Sequence, residues 1–170
     1  MVELCLYTEQ DTARLASIIA ACLRPVDCLT LTGNLGAGKT TLMRYLIGAM
    51  QDSVVSCQSS VVSPSFMIVQ EYEVRVQSSE FRVQETKLYH VDGYRLNSAS
   101  EIPELGLEEC FETGIVAIEW PEIFANYLPK NRLELTLELG DNGSRNATIT
   151  GKGIHETSIT QLSQEFHGSA

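Results

Sequence analysis

The segment Gly-Asn-Leu-Gly-Ala-Gly-Lys-Thr-Thr at 33–41 limits the fold more than any other stretch of this chain. Gly33 and Gly38 stand with four residues between them and are followed by Lys39 and Thr40, which is the phosphate-loop pattern. The logic of those residue types is steric and electrostatic. Small residues at Gly33, Gly36, Ala37 and Gly38 let backbone N–H groups wrap a β-phosphate, Lys39 adds a point charge, and the Thr40 hydroxyl is placed for Mg²⁺. A helix opening at Gly38 and carrying Thr41 in its first turn adds the positive end of its dipole. The pattern works only between a strand and a helix, and the flanks agree. Residues 28–32 form an apolar run, and Leu42, Tyr45, Leu46 and Met50 share one helical face after the loop. The expectation is an α/β fold that holds a nucleoside triphosphate on this loop.

The rest of the chain fits around that unit. Residues 2–7 read as a strand, and Thr8 caps a helix running to Cys22, with Leu15, Ile18, Ile19 and Cys22 at helical spacing before Pro25. Residues 51–64 are rich in Ser, Val and Gln without a period and read as a long functional loop. Residues 66–76 and 86–91 are strand-like around a polar stretch at 77–84, the pattern of an antiparallel hairpin with a protruding tip. One short helix is expected over 103–112, a buried strand over 115–118, an alternating strand over 133–139, a turn at 140–143 and a last strand over 146–149. The expected architecture is a P-loop NTPase-like three-layer sandwich with a central mixed β-sheet. A length of 170 residues suits one core. A single domain is read over 1–153, followed by a polar C-terminal tail at 154–170 with a marginal helix in 154–166.

Composition removes several function classes. Twelve basic against 22 acidic side chains give a net charge of −10, which opposes sequence-independent binding to nucleic acid, so any RNA is expected to be met through a partner. No apolar run approaches the roughly 18 residues of a membrane helix, and the N-terminus has no signal-peptide pattern, so the expected location is the cytoplasm with no membrane partner. The five cysteines, Cys5, Cys22, Cys28, Cys57 and Cys110, show no Cys-x-x-Cys or zinc spacing and read as reduced thiols.

A phosphate loop needs an acidic residue at the end of another strand. Ile115-Val116-Ala117-Ile118-Glu119 is too apolar for a surface strand and ends in a carboxylate, so Glu119 is the first candidate beside Thr40 for the metal. In His-Val-Asp-Gly-Tyr-Arg at 90–95, a strand period of two puts His90 and Asp92 on one face. Asp92 either ligates Mg²⁺ through water or orients the attacking water. His90 reads first as a hydrogen-bonded core residue, with a place in the site as the alternative. Arg95 is either a phosphate contact or a salt-bridge partner. Ser63 and Ser65, in Ser-Pro-Ser-Phe at 63–66, are either an ordinary turn or a switch that senses the γ-phosphate.

Taken together, these motifs, with Glu-Leu-Gly-Leu at 104–107 and Ile-Glu-Trp-Pro at 118–121, resemble the TsaE (YjeE) family in order and spacing over about residues 8–139. The resemblance implies an ATPase, dependent on Mg²⁺, that serves threonylcarbamoyl modification of adenosine 37 in tRNA. It works with TsaD-like and TsaB-like proteins, and hydrolysis resets their complex. It also implies catalytic roles for Lys39, Asp92 and Glu119, and places Trp120 near the site and its partner surface. Residues 8–10 and Arg145 fall where the family touches the nucleotide. The family's usual pattern has Asp where Asn34 stands and Thr where Ser65 stands.

Three rivals are weaker. A small P-loop kinase needs an arginine-rich lid, and only Arg132 and Arg145 lie late in the chain. A nucleotide-switch GTPase needs Asn-Lys-x-Asp for guanine, and a transport ATPase needs Leu-Ser-Gly-Gly. The sequence has neither, which favours ATP. The lack of an arginine-finger motif points to slow hydrolysis by the isolated chain.

Overall fold

The computed structural model describes residues 1–51, 68–77, 83–153, 162 and 164–166. Among the described residues these helices and strands follow one another: β1 (Val2–Leu6), α1 (Glu9–Cys22), β2 (Cys28–Thr32), α2 (Lys39–Met50), β3 (Val69–Gln77), β4 (Val83–Asp92), α3 (Leu107–Thr113), β5 (Ile115–Glu119), β6 (Arg132–Leu139) and β7 (Arg145–Lys152). The strands build one seven-stranded sheet in the order β1-β7-β6-β2-β5-β4-β3. β6, β2, β5 and β4 run parallel at its centre, β7 and β1 pair antiparallel on one flank, and β3 pairs antiparallel with β4 on the other. The sheet is mixed.

Alternation along the central strands divides the interior in two. Ile115 and Ala117 of β5 join Leu15, Ile19, Leu42 and Leu46 of α1 and α2 in one cluster. Val116 and Ile118 point the other way, toward Ile102, Leu107 and Phe124. All five residues of β5 are therefore buried, as a parallel strand covered on both faces must be. The layers are α1 with α2, the sheet, and α3 with 3₁₀ turns at Ala99–Leu105 and Pro121–Phe124. In such sheets ligands collect beyond the carboxyl ends of the strands, and the loop 33–38 leaves β2 at that end.

Local chemistry accounts for the boundaries. Thr8 and Asp11 form a reciprocal capping box at the start of α1, with Oγ1 of Thr8 accepting from Asp11 N at 3.1 Å and Oδ2 of Asp11 accepting from Thr8 N at 2.8 Å. The single helix expected over 103–112 is two elements: Gly106 takes a left-handed φ of +63°, ending the 3₁₀ turn that holds Pro103 and starting α3. β4 and β7 are longer than expected, and the 3₁₀ turns at Gly93–Arg95 and Pro121–Phe124 were not foreseen. Ser63, Ser65, nearly all of the expected long loop, the hairpin tip at 78–82 and most of 154–170 lie outside the described residues. From that last stretch Leu162 and Phe166 enter the α1/α2 core, and the Arg14 guanidinium lies 5.1 Å from the Phe166 ring centroid.

Cys5, Cys22, Cys28 and Cys110 carry free thiols, and burial pushes the Cys28 thiol up to about 12, which leaves it inert as a nucleophile. Cys57 lies outside the described residues. Among the described residues no helix is long and apolar enough to cross a membrane.

Candidate functional site

Backbone geometry makes the loop what it is. Gly33 has φ +146°, and a Cβ there would run into the carbonyl oxygen of Leu137 on β6. Gly36 and Gly38 sit at +80° and +108°, conformations that side chains disfavour. Ala37 between them is fully buried in the core and pins the loop to the α1/α2 layer. Gly38 gives α2 no side-chain cap, and the helix ladder begins only with Leu42 N donating to Gly38 O at 2.9 Å. The N–H groups of 39–41 thus project from the helix N-terminus, an arrangement suited to an anion.

Lys39 is folded back over the loop. Its Nζ donates to Gly33 O at 2.5 Å and to Asn34 O at 3.0 Å, and lies 3.8 Å from the Trp120 ring centroid. Burial pulls the Lys39 ammonium below the usual lysine range, and the carboxylates of Glu119, Asp92 and Glu122 work against that shift. The neighbouring Thr40 donates from Oγ1 to Oε2 of Glu119 at 3.0 Å. The other carboxylate oxygen, Oε1, lies 2.9 Å from Nε2 of His90. Glu119 and His90 are only 2% and 0% exposed.

Strand register brings these groups together. β4 and β5 are adjacent and parallel, with Asp92 beside Glu119 and His90 beside Ala117. His90 is thus the expected hydrogen-bonded core residue and also touches the acid of the site. Oδ1 of Asp92 accepts from Tyr94 N at 3.0 Å and caps the 3₁₀ turn Gly93–Arg95. Beyond β5 the chain turns at Trp120, held at a left-handed φ of +57°, and its ring meets that of Tyr94 at 5.1 Å. A Cβ on Gly93 would meet Trp120 O at 2.6 Å and the Phe124 ring at 2.7 Å, so the turns after β4 and β5 are wedged together.

Two cavities flank the loop. One, of about 410 Å³, opens between Thr40, Asp92, Arg95, Glu119 and Trp120. The other, also about 410 Å³, reaches from Gly38 and Thr41 to Tyr7, Thr8, Arg44 and Arg145. Of the residues singled out in the sequence, those from Gly33 to Thr41, His90, Asp92, Arg95, Glu119 and Trp120 converge on one end of the sheet. Arg145 and Thr8 converge on the second cavity. Arg44 and Tyr7 were missed. Arg44 had a readable signal, since it follows Thr41 by three residues and so shares its side of α2.

The donor set defines what the first cavity can hold. Among the described residues no three His, Cys, Asp or Glu side chains gather to enclose a metal by themselves. A carboxylate and a hydroxyl 3.0 Å apart offer a hard divalent cation two oxygens, leaving its other positions for phosphate and water, the usual arrangement for Mg²⁺.

Known proteins share this framework. The family model for "Threonylcarbamoyl adenosine biosynthesis protein TsaE" matches residues 6–147. A Rickettsia conorii protein called tRNA threonylcarbamoyladenosine biosynthesis protein TsaE is 38% identical over 148 residues, spanning 85% of this chain and 75% of its own length. The Bacillus subtilis protein of the same name is 34% identical over 146 residues, 85% of this chain and 82% of that one. The crystal structure of Bacillus subtilis YdiB superposes with a TM-score of 0.70 at 27% identity, covering 99% of this chain and 95% of that one.

Proposed function

This chain belongs to the TsaE family of threonylcarbamoyl adenosine biosynthesis proteins, and on that premise we propose that it binds and slowly hydrolyses ATP with Mg²⁺, acting with TsaD-like and TsaB-like partners in tRNA modification. The observation that carries the ATPase reading is the contact between Thr40 at the start of α2 and Glu119 at the end of β5, directly beside a loop bent by three left-handed glycines.

Each group then has a task. The N–H groups of 36–41 and the end of α2 cradle the β-phosphate. Lys39 exchanges its bonds to the carbonyls of Gly33 and Asn34 for phosphate oxygens, a short movement for a flexible side chain. Thr40 and Glu119 hold Mg²⁺, which when bound neutralises charge on the β- and γ-phosphates. Asp92, in register with Glu119, orients the attacking water. The water oxygen bonds to the γ-phosphorus as the bond to the β–γ bridging oxygen breaks, giving ADP, phosphate and a proton released to solvent. The adenosine end lies in the cavity of Tyr7, Thr8 and Arg145, which begins where the loop ends.

The partner half rests on the family and on charge. A net charge of −10 leaves tRNA to other subunits. Leu35 on the loop and Tyr94 beside Trp120 are 74% and 57% exposed, apolar surface at the mouth of the first cavity that a partner can cover.

The deciding experiment measures ATP turnover by the wild type and Glu119→Ala, each alone and with the cognate TsaD-like and TsaB-like pair plus tRNA. Slow turnover alone, stimulation by the pair, and loss of both in Glu119→Ala is the expected result. A pair that changes nothing removes the partner assignment. Turnover by the chain alone at an ordinary enzyme rate of about 10 per second removes the claim of slow hydrolysis.

A further inference from the structure

We propose that His90 is a positioning residue for Glu119, holding Oε1 of its carboxylate so that Oε2 stays on Thr40, and that it thereby sets the affinity for the divalent cation without touching cation, nucleotide or water. The inference rests on the reading of Thr40 and Glu119 as the cation's protein ligands.

The argument begins with the cost of the residue. Position 90 lies on the same face of β4 as Leu88, the face that packs into the α1/α2 core, and it is fully buried. An aliphatic side chain there would simply extend the core, whereas an imidazole must find partners for its nitrogens. It finds one. Nε2 reaches Glu119, and Nδ1 has no hydrogen-bond partner among the described residues. Among the described residues, the polar function of this ring is therefore directed at a single acceptor.

The carboxylate shows the same economy. Its two oxygens are divided between two donors from different elements, Oε1 to His90 on β4 and Oε2 to Thr40 on α2. A carboxylate held at one oxygen turns freely about its last bond. Held at both, it keeps one edge toward the loop. Since an ionised carboxylate only accepts hydrogen bonds, the ring proton belongs on Nε2. An arginine or lysine could also hold Oε1, but its fixed charge would compete with the cation for Glu119. Groups one layer behind a metal ligand orient it in this manner and are felt in affinity.

Two variants separate orientation from simple packing. His90→Leu suits the core face and removes the donor, while His90→Gln keeps an amide N–H at about the reach of Nε2. Binding of a fluorescent ATP analogue is titrated with Mg²⁺ and repeated without it, and thermal melts confirm that each protein is folded. His90→Leu is expected to raise the Mg²⁺ midpoint roughly 10- to 100-fold, and His90→Gln to bring it back to within about threefold of wild type, with Mg²⁺-free affinity unchanged in both. An unchanged midpoint in His90→Leu, or a His90→Gln as weak as His90→Leu, overturns the proposal alone. A wild type whose nucleotide binding ignores Mg²⁺ overturns the cation reading and the proposal with it. Should His90→Leu not fold, His90→Gln and the ring itself decide. Long-range ¹H–¹⁵N correlation on the wild type is expected to show a proton on Nε2, with its hydrogen-bonded signal lost in Glu119→Ala, and an Nε2 without a proton overturns the proposal.

Discussion

The two cavities beside the loop have the same volume, about 410 Å³, and opposite construction. The first is walled by the ends of adjacent parallel strands, and its acid is buried and tied to both Thr40 and His90. The second is assembled from the β1–α1 junction, the half-buried side of α2 that carries Thr41 and Arg44, and the β6–β7 turn, and its Tyr7 is 76% exposed. Interlocked buried groups have one arrangement and transmit a change from one to the next. Exposed side chains on separate elements adjust singly. Chemistry that depends on sub-ångström placement belongs in the first cavity, and binding that tolerates adjustment in the second.

Glu119→Ala tests this contrast most severely. It is expected to lower the hydrolysis rate at saturating ATP and Mg²⁺ by at least about 100-fold, followed by phosphate release. A loss smaller than tenfold would show that the hydrogen-bonded chain His90–Glu119–Thr40 is scaffolding rather than chemistry. Gly33→Ala comes next, since it meets both a left-handed backbone and the Leu137 carbonyl. It should cost about 2–3 kcal/mol and lower the melting temperature by roughly 5–10 °C, read by calorimetry. An unchanged melt would mean that the loop relaxes freely and is no more rigid than the second cavity.

On the exposed side the effects shrink. Arg145→Ala is expected to weaken ATP binding about fivefold while leaving turnover at saturation unchanged, a split seen in steady-state kinetics. A fall in the saturated rate instead would erase the division of labour between the cavities. Thr8→Ala removes half of the capping box and should cost about 1 kcal/mol, roughly 2–4 °C in the melt.

The same contrast explains what was legible in the sequence. The loop, β2, α2 and the buried strand ending at Glu119 depend on residue types at short, fixed spacings, so they could be read directly. A strand period of two was enough to put His90 and Asp92 on one face. The pairing of His90 with Glu119 needed more, because it follows from β4 lying next to β5, a choice of sheet order that no local pattern encodes. The second cavity was harder still, since Tyr7, Arg44 and Arg145 meet only when β7 returns to pair with β1. Gly106 divides the single helix expected over 103–112, and a glycine in that place is itself a stop signal. Leu162 and Phe166 were read inside a polar tail, and their burial against α1 is a tertiary effect that composition averages away.

The wedge at Gly93 has a kinetic consequence. With no room for even a methyl group between them, the turn after β4 and the turn after β5 pack directly on each other, and opening either one gives up that shared contact. Leu96 N is bonded to Gly93 O within the first turn, and Trp120 N is bonded to Leu31 O at the root of the second. These two amides, 24 residues apart in the chain, should therefore surrender their protons to deuterated solvent at one common opening rate, as a single latch at the corner that carries Asp92 and Glu119.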